Sequence, residues 1–166
     1  MKIKGWIIFA TMFIAAIIQI TAMEDIALLG AKPDILFILV VFFSLYYDDD
    51  KAGLMAAVSG GLLKDITSTA LFGSNTFGFC LCALFLRYYG NFYKPKVFTQ
   101  AALCGILYYI TAVVILFVNR QAFDSAYINL SSCFWMMFKV SFYTAVVSPA
   151  LFFVLSKLFR VRIAYV

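Results

Sequence analysis

Six continuous apolar runs dominate the chain, at about Gly5 to Ala22, Pro33 to Tyr47, Ala52 to Leu71, Thr76 to Tyr89, Val97 to Val118 and Cys133 to Ser156. They are continuous and lack the period-two alternation that a barrel strand must have. In lipid every backbone N–H and C=O must find a partner within the protein, and a helix does so by itself. The runs therefore predict helices that cross a bilayer. Composition agrees: 65% of the 166 residues are hydrophobic and 13% charged, against about half and about a quarter in soluble domains. The expected fold is all-α, a polytopic membrane helical bundle of six transmembrane helices forming one domain over residues 1–166. The second and fourth runs, about 15 residues or about 22 Å of helix, fall short of a bilayer core of about 30 Å. They are expected to borrow loop residues or to be locally mismatched.

Charge sets the orientation. Lys2 and Lys4 precede the first run, Arg87, Lys94 and Lys96 surround the loop after the fourth, and Lys157, Arg160 and Arg162 follow the last. An even number of spans puts these groups on one side, which the positive-inside rule makes cytoplasmic, with both termini there. The acidic Asp48-Asp49-Asp50 turn reads as a solvated turn rather than half of a metal-diphosphate site, since no second acidic cluster completes it. The first run has the basic start of a signal peptide, but it is long for one and lacks a clean A-x-A cleavage site. It is expected to remain as a span. The sequon Asn129-Leu130-Ser131 is a short match that carries no inference.

Several chemistries drop out. The chain has no histidine, which removes Ser-His-Asp and Cys-His nucleophilic sites, His-ligated zinc or haem and His proton relays. Cys80, Cys82, Cys104 and Cys133 lack the paired spacing of a zinc site and read as small packing residues. The net charge of +5 comes from basic residues scattered between apolar runs, so it points to membrane orientation and not to nucleic acid. No cofactor and no enzymatic activity are expected.

The third run is the most informative. Gly53, Ala57, Gly61 and Asp65 recur every four residues and form one stripe, and small residues at that spacing let a second helix approach closely. Packing within the bundle is favoured over a homodimer face. Asp65, ionisable inside a span, is expected to face the protein interior. Counting inward at 1.5 Å per residue puts Asp65 and Lys139 at a common depth, about 20 Å from the cytoplasmic edge. This predicts an ion pair tying the third helix to the sixth, with Lys64 snorkelling outward. Pro33 and Asp34 suit the first turn of the second helix, where an acidic side chain meets the positive end of the helix dipole. Gly73-Ser74-Asn75 supplies turn conformations.

Lys32-Pro33-Asp34, the Gly/Ala-rich third helix ending in Gly61-Leu62-Leu63-Lys64-Asp65, and Leu71-Phe72-Gly73 with Asn75 together resemble the MreD family of rod shape-determining integral membrane proteins. Length, six spans, short loops and a basic C-terminus agree along the whole chain. The sequence departs from the family pattern at Ala57, where Gly is frequent, and in the acidic Asp48 to Asp50 turn. The resemblance implies a non-enzymatic subunit of the bacterial inner membrane that serves cell elongation and peptidoglycan synthesis. Its implied partners are the bitopic protein MreC and, beside it, MreB filaments, RodA and a class B penicillin-binding protein. The family is also similar in architecture to the substrate-binding S components of ECF vitamin importers, and this supplies the alternative function. Pro33, Asp34, Gly53, Ala57, Gly61, Asp65, Gly73, Asn75 and Lys139 are the residues expected to serve structure or partner binding.

Overall fold

The computed structural model of the chain describes residues 4–21, 31–47, 51–68, 71–90, 97–123 and 130–159. Among these it forms six helices and no strand: α1 (Gly5–Thr21), α2 (Ile35–Tyr46), α3 (Ala52–Thr67), α4 (Ser74–Gly90), α5 (Val97–Phe123) and α6 (Leu130–Leu158). The Asp48 to Asp50 turn, the sequon's Asn129 and the basic residues Lys2, Lys94, Lys96, Arg160 and Arg162 lie outside the described residues. Among the described residues two helices are long and apolar enough to cross a membrane, over Thr99–Asn119 and Ser131–Leu158, and α1 and α2 are shorter apolar helices.

Consecutive helices run antiparallel, as their contacts show. Gly53 near the start of α3 meets Ser44 near the end of α2, and Gly61 near the end of α3 meets Thr76 at the start of α4. Gly78 of α4 packs on Thr111 and Ile115 of α5, and Gly105 of α5 on Ala145 of α6. One end of the bundle therefore holds Lys4, Lys51, Arg87 and Lys157, all exposed. The other holds Gln19, Asp34, Lys64, Asp65 and Asn75.

α2 is the centre. It packs against each of the other five helices, whereas neither α1 nor α3 brings its backbone close to α6 among the described residues. Every residue from Ile35 to Phe43 is buried. This accounts for its length: 12 residues give about 18 Å, too short to bridge a bilayer core of about 30 Å, but a helix wrapped in protein has no lipid to match. Aromatic rings fix it at both ends. Phe37 sits edge-on to Phe79 of α4 and Tyr108 of α5, at 5.4 and 5.2 Å. Phe42 packs on Phe152 of α6 and on Phe159 just past its end, at 5.8 and 6.2 Å, within the centroid range of aromatic pairs.

The exterior is the inverse of a soluble surface. Trp6, Phe13, Ile66, Phe77, Ile110, Trp135 and Phe142 are exposed on five helices, far more apolar area than a soluble monomer presents to water. Inside, polar groups repair the backbone. Pro149 lacks the N–H that would bond to the Ala145 carbonyl, and Ser148 Oγ donates to that carbonyl instead at 2.9 Å. Ser141 Oγ donates to the Gly105 carbonyl at 2.5 Å and stitches α6 to α5 where Gly105 brings the backbones together.

Candidate functional site

The buried charges gather where the N-termini of α2 and α4 meet the last turn of α3. Helix N-termini carry unpaired N–H groups and the positive end of the dipole, and both need an acceptor when no water is at hand. Asp34 is the N-cap of α2, its Oδ1 accepting from Phe37 N at 3.1 Å. Gln19 of α1 serves the next donor, its Oε1 accepting from Leu36 N at 3.2 Å, while its Nε2 reaches Asp34 Oδ1 at 3.5 Å. The backbone N–H of Asp34 in turn donates to Thr144 Oγ1 of α6 at 3.1 Å. Pro33, expected in the first turn, precedes the cap and lies just outside the helix.

α4 has a different problem. Gly73 precedes its first residue with a φ of +93°, a conformation suited to glycine, and has no side chain with which to cap. The cap comes from α3. Asp65 Oδ1 accepts from Asn75 N at 3.0 Å and Asn75 Nδ2 at 2.9 Å, and Oδ2 accepts from Thr76 N at 3.1 Å and Thr76 Oγ1 at 2.6 Å. Four donors saturate a carboxylate that is 3% exposed.

Lys64 and Asp65 are neighbours in sequence and about 100° apart around the helix, and that angle lets them serve different helices. Lys64 Nζ forms an ion pair with Asp34 Oδ2 and lies 5.1 Å from the Phe79 ring centroid and 5.3 Å from that of Tyr108, where the ring faces favour a cation. Lys64 thus turns inward to the α2 cap, correcting the expectation that it snorkels out.

The expected Asp65–Lys139 pair does not form. Depth matched the two residues, but direction around the axis separates them: the Asp65 carboxylate is taken up by Asn75 and Thr76 of α4. Lys139 instead lies 6.0 Å from the Trp135 ring centroid, on an α6 face shared with Phe138 and Phe142. The small-residue stripe is consumed inside the bundle. A Cβ on Gly53 would stand 2.6 Å from Ser44 Oγ, one on Gly61 would strike the Thr76 backbone, and Ala57 is fully buried. The structure thus gathers Asp34, Asp65, Gly73 and Asn75 at one junction, places Pro33 beside it, and leaves Lys139 outside.

Gln19, Lys64, Thr76 and Thr144 are the participants that sequence reasoning missed. Gln19 carried a signal, as the amide in an otherwise apolar helix. Thr76 and Thr144 carried none, since hydroxyls in apolar helices commonly bond to their own i−4 carbonyl, as Thr144 also does.

Among the described residues no group of three His, Cys, Asp or Glu could hold a metal ion. The four thiols are unpaired, Cys82 and Cys104 buried, Cys80 and Cys133 half-buried. The chain matches the family model described as rod shape-determining protein MreD over residues 1–162. It belongs to the MreD family. The family determines rod shape, is membrane-associated, and is structural rather than known for catalysis. No curated protein and no solved structure matches the chain. For this member of the MreD family the junction has a plain chemical meaning: its two carboxylates are spent on helix N-termini, and its one ammonium is spent on a carboxylate.

Proposed function

We propose that the chain is a six-span scaffold of the bacterial inner membrane, termini cytoplasmic, that serves cell elongation and peptidoglycan synthesis by binding MreC and, with it, MreB, RodA and a class B penicillin-binding protein. The observation that carries this reading is the division of labour in the structure. Asp34, Lys64 and Asp65 are committed to holding helices, and what the chain offers to its surroundings is an apolar face on five helices. Such a molecule acts by what packs against it. The basic end formed by Lys4, Lys51, Arg87 and Lys157 supports the cytoplasmic assignment of both termini. The alternative, an S component of an ECF-type importer, needs a cavity that encloses a whole vitamin, whereas the cavity beside Lys64, at about 250 Å³, falls below the usual range for a small-molecule site. Affinity purification of the tagged full-length chain from its native membrane tests the choice. Recovery of MreC with wall-synthesis enzymes supports the scaffold, and recovery of importer energising subunits in their place overturns it.

A further inference from the structure

Among the described residues, the central helix begins late and leaves a recess beside its start. α2 begins at Ile35, where Asp34 meets Thr144 of α6 and Phe37 meets Tyr108 of α5. α6 starts at Leu130 and α5 runs on to Phe123, so about 20 Å of each passes the start of α2. Within this stretch lies a cavity of about 250 Å³. Met136, Met137 and Val140 of α6 and Ala112 and Ile115 of α5 form its walls, and Lys64, Asn75, Tyr108 and Thr111 are its polar lining. Met136 is 58% exposed, so the cavity opens at that edge.

The polar lining has a definite charge balance. It draws on one ammonium, the carboxylates of Asp34 and Asp65 behind it, and two helix N-termini worth about half a positive charge each, which together come close to zero. An anion or a cation brought into this setting would be an uncompensated buried charge. A neutral group with hydrogen-bonding capacity would not. Asn75 Nδ2 donates to Asp65 and Ser68, which leaves the amide oxygen to accept, and the Tyr108 phenol, which accepts from Lys64 and keeps its own O–H to donate, is in the same lining. Methionine walls adapt to a flexible chain.

From these features we infer that the cavity binds an uncharged amphiphile, a hydroxyl- or amide-headed hydrocarbon whose head meets Asn75 and Tyr108 and whose chain leaves past Met136 into the bilayer. The cavity is independent of the scaffold reading; only its assignment to the outer half of the membrane rests on the topology proposed above.

The test uses the full-length chain in phosphatidylcholine nanodiscs with ¹³C-methyl methionine, read by NMR. Monooleoylglycerol, oleate and oleylamine share one chain and differ in head charge. Monooleoylglycerol is expected to shift the Met137 and Met136 methyls saturably, at no more than a tenth of the mole fraction that either charged probe needs. Met55, exposed on α3, reports bulk bilayer change and is expected to stay still. Ala112→Phe, which fills the cavity without touching the charges, is expected to abolish the response, and Val140→Phe serves the same purpose from α6. Equal responses to all three heads, Met137 unmoved by monooleoylglycerol, or a folded filling variant with an unchanged titration would each overturn the proposal. The headgroup comparison on the unaltered chain decides it even where neither variant folds.

Discussion

Replacing Asp65 with Ala removes an acceptor from four donors at once, two of them backbone N–H groups at the buried start of α4. Loss of an N-cap alone costs about 0.5–2 kcal/mol, and a buried donor left unpaired costs about 1–3 kcal/mol. Hydrogen bonds between membrane helices average nearer 0.6 kcal/mol, because the unfolded chain in lipid also finds partners. Four bonds weighed between these limits give a loss of about 3 kcal/mol, roughly a 150-fold shift in the folding equilibrium. Asp65→Asn keeps one oxygen but turns an amide N–H₂ toward a donor, so about half of the loss is expected to remain. The assay is equilibrium unfolding of the purified chain in mixed micelles, followed by circular dichroism and repeated on the Lys139→Ala background. The losses should add, because Asp65 and Lys139 belong to separate contacts. A loss under about 1 kcal/mol, or a second substitution that cancels the first, would refute the cross-helix cap.

Three further predictions follow from the packing. Gly61→Ala should lower folded yield sharply, by an overpacking cost of about 1–3 kcal/mol, because the new Cβ meets the Thr76 backbone, while in Gly60→Ala it comes close to the flexible Met12 thioether at 3.3 Å, with Val40 and Phe79 at ordinary contact distance, and this variant should unfold near the parent midpoint. Lys139→Ala alone should change stability by no more than about 0.5 kcal/mol, as expected where a side chain holds no buried partner, with the unfolding midpoint as the measure. Ser148→Ala should cost about 1 kcal/mol in the same assay by orphaning the Ala145 carbonyl, and Pro149→Ala should restore the backbone bond and recover that loss.

How much of this could be read beforehand depends on what a residue's neighbours in sequence reveal. The six helices were legible because continuous apolar runs have few structural solutions in lipid. The centrality of α2 was not: a helix wrapped in protein and one facing lipid are equally apolar, and α1 and α2 look alike although Trp6, Phe13 and Ile14 of α1 are exposed and Ile35 to Phe43 of α2 are buried. Asp65 stood out as an ionisable residue on a small-residue stripe, and Asp34 as a capping residue. Their partners did not, because counting along a helix gives depth while pairing depends on direction around it. Lys64 and Asp65 share a depth and turn to different helices, and Lys139 shares that depth but stands on another face of α6, beside Trp135.

On the scaffold reading, the charges at the junction hold the bundle and act on no partner. The most direct test of this is a double substitution that deletes charge but keeps shape and cap, Asp34→Asn with Lys64→Met, since Asn caps a helix as well as Asp does. Each single change leaves one buried charge unpaired, at a cost of about 3–5 kcal/mol, and the double change should return to within about 1 kcal/mol of the parent. Folded yield is measured beside rod-shape complementation in cells whose own copy is deleted. The double variant is expected to recover both folding and rod shape together. A double variant that folds and inserts like the parent yet leaves the cells round would contradict it, because the charges would then be acting on something outside the chain.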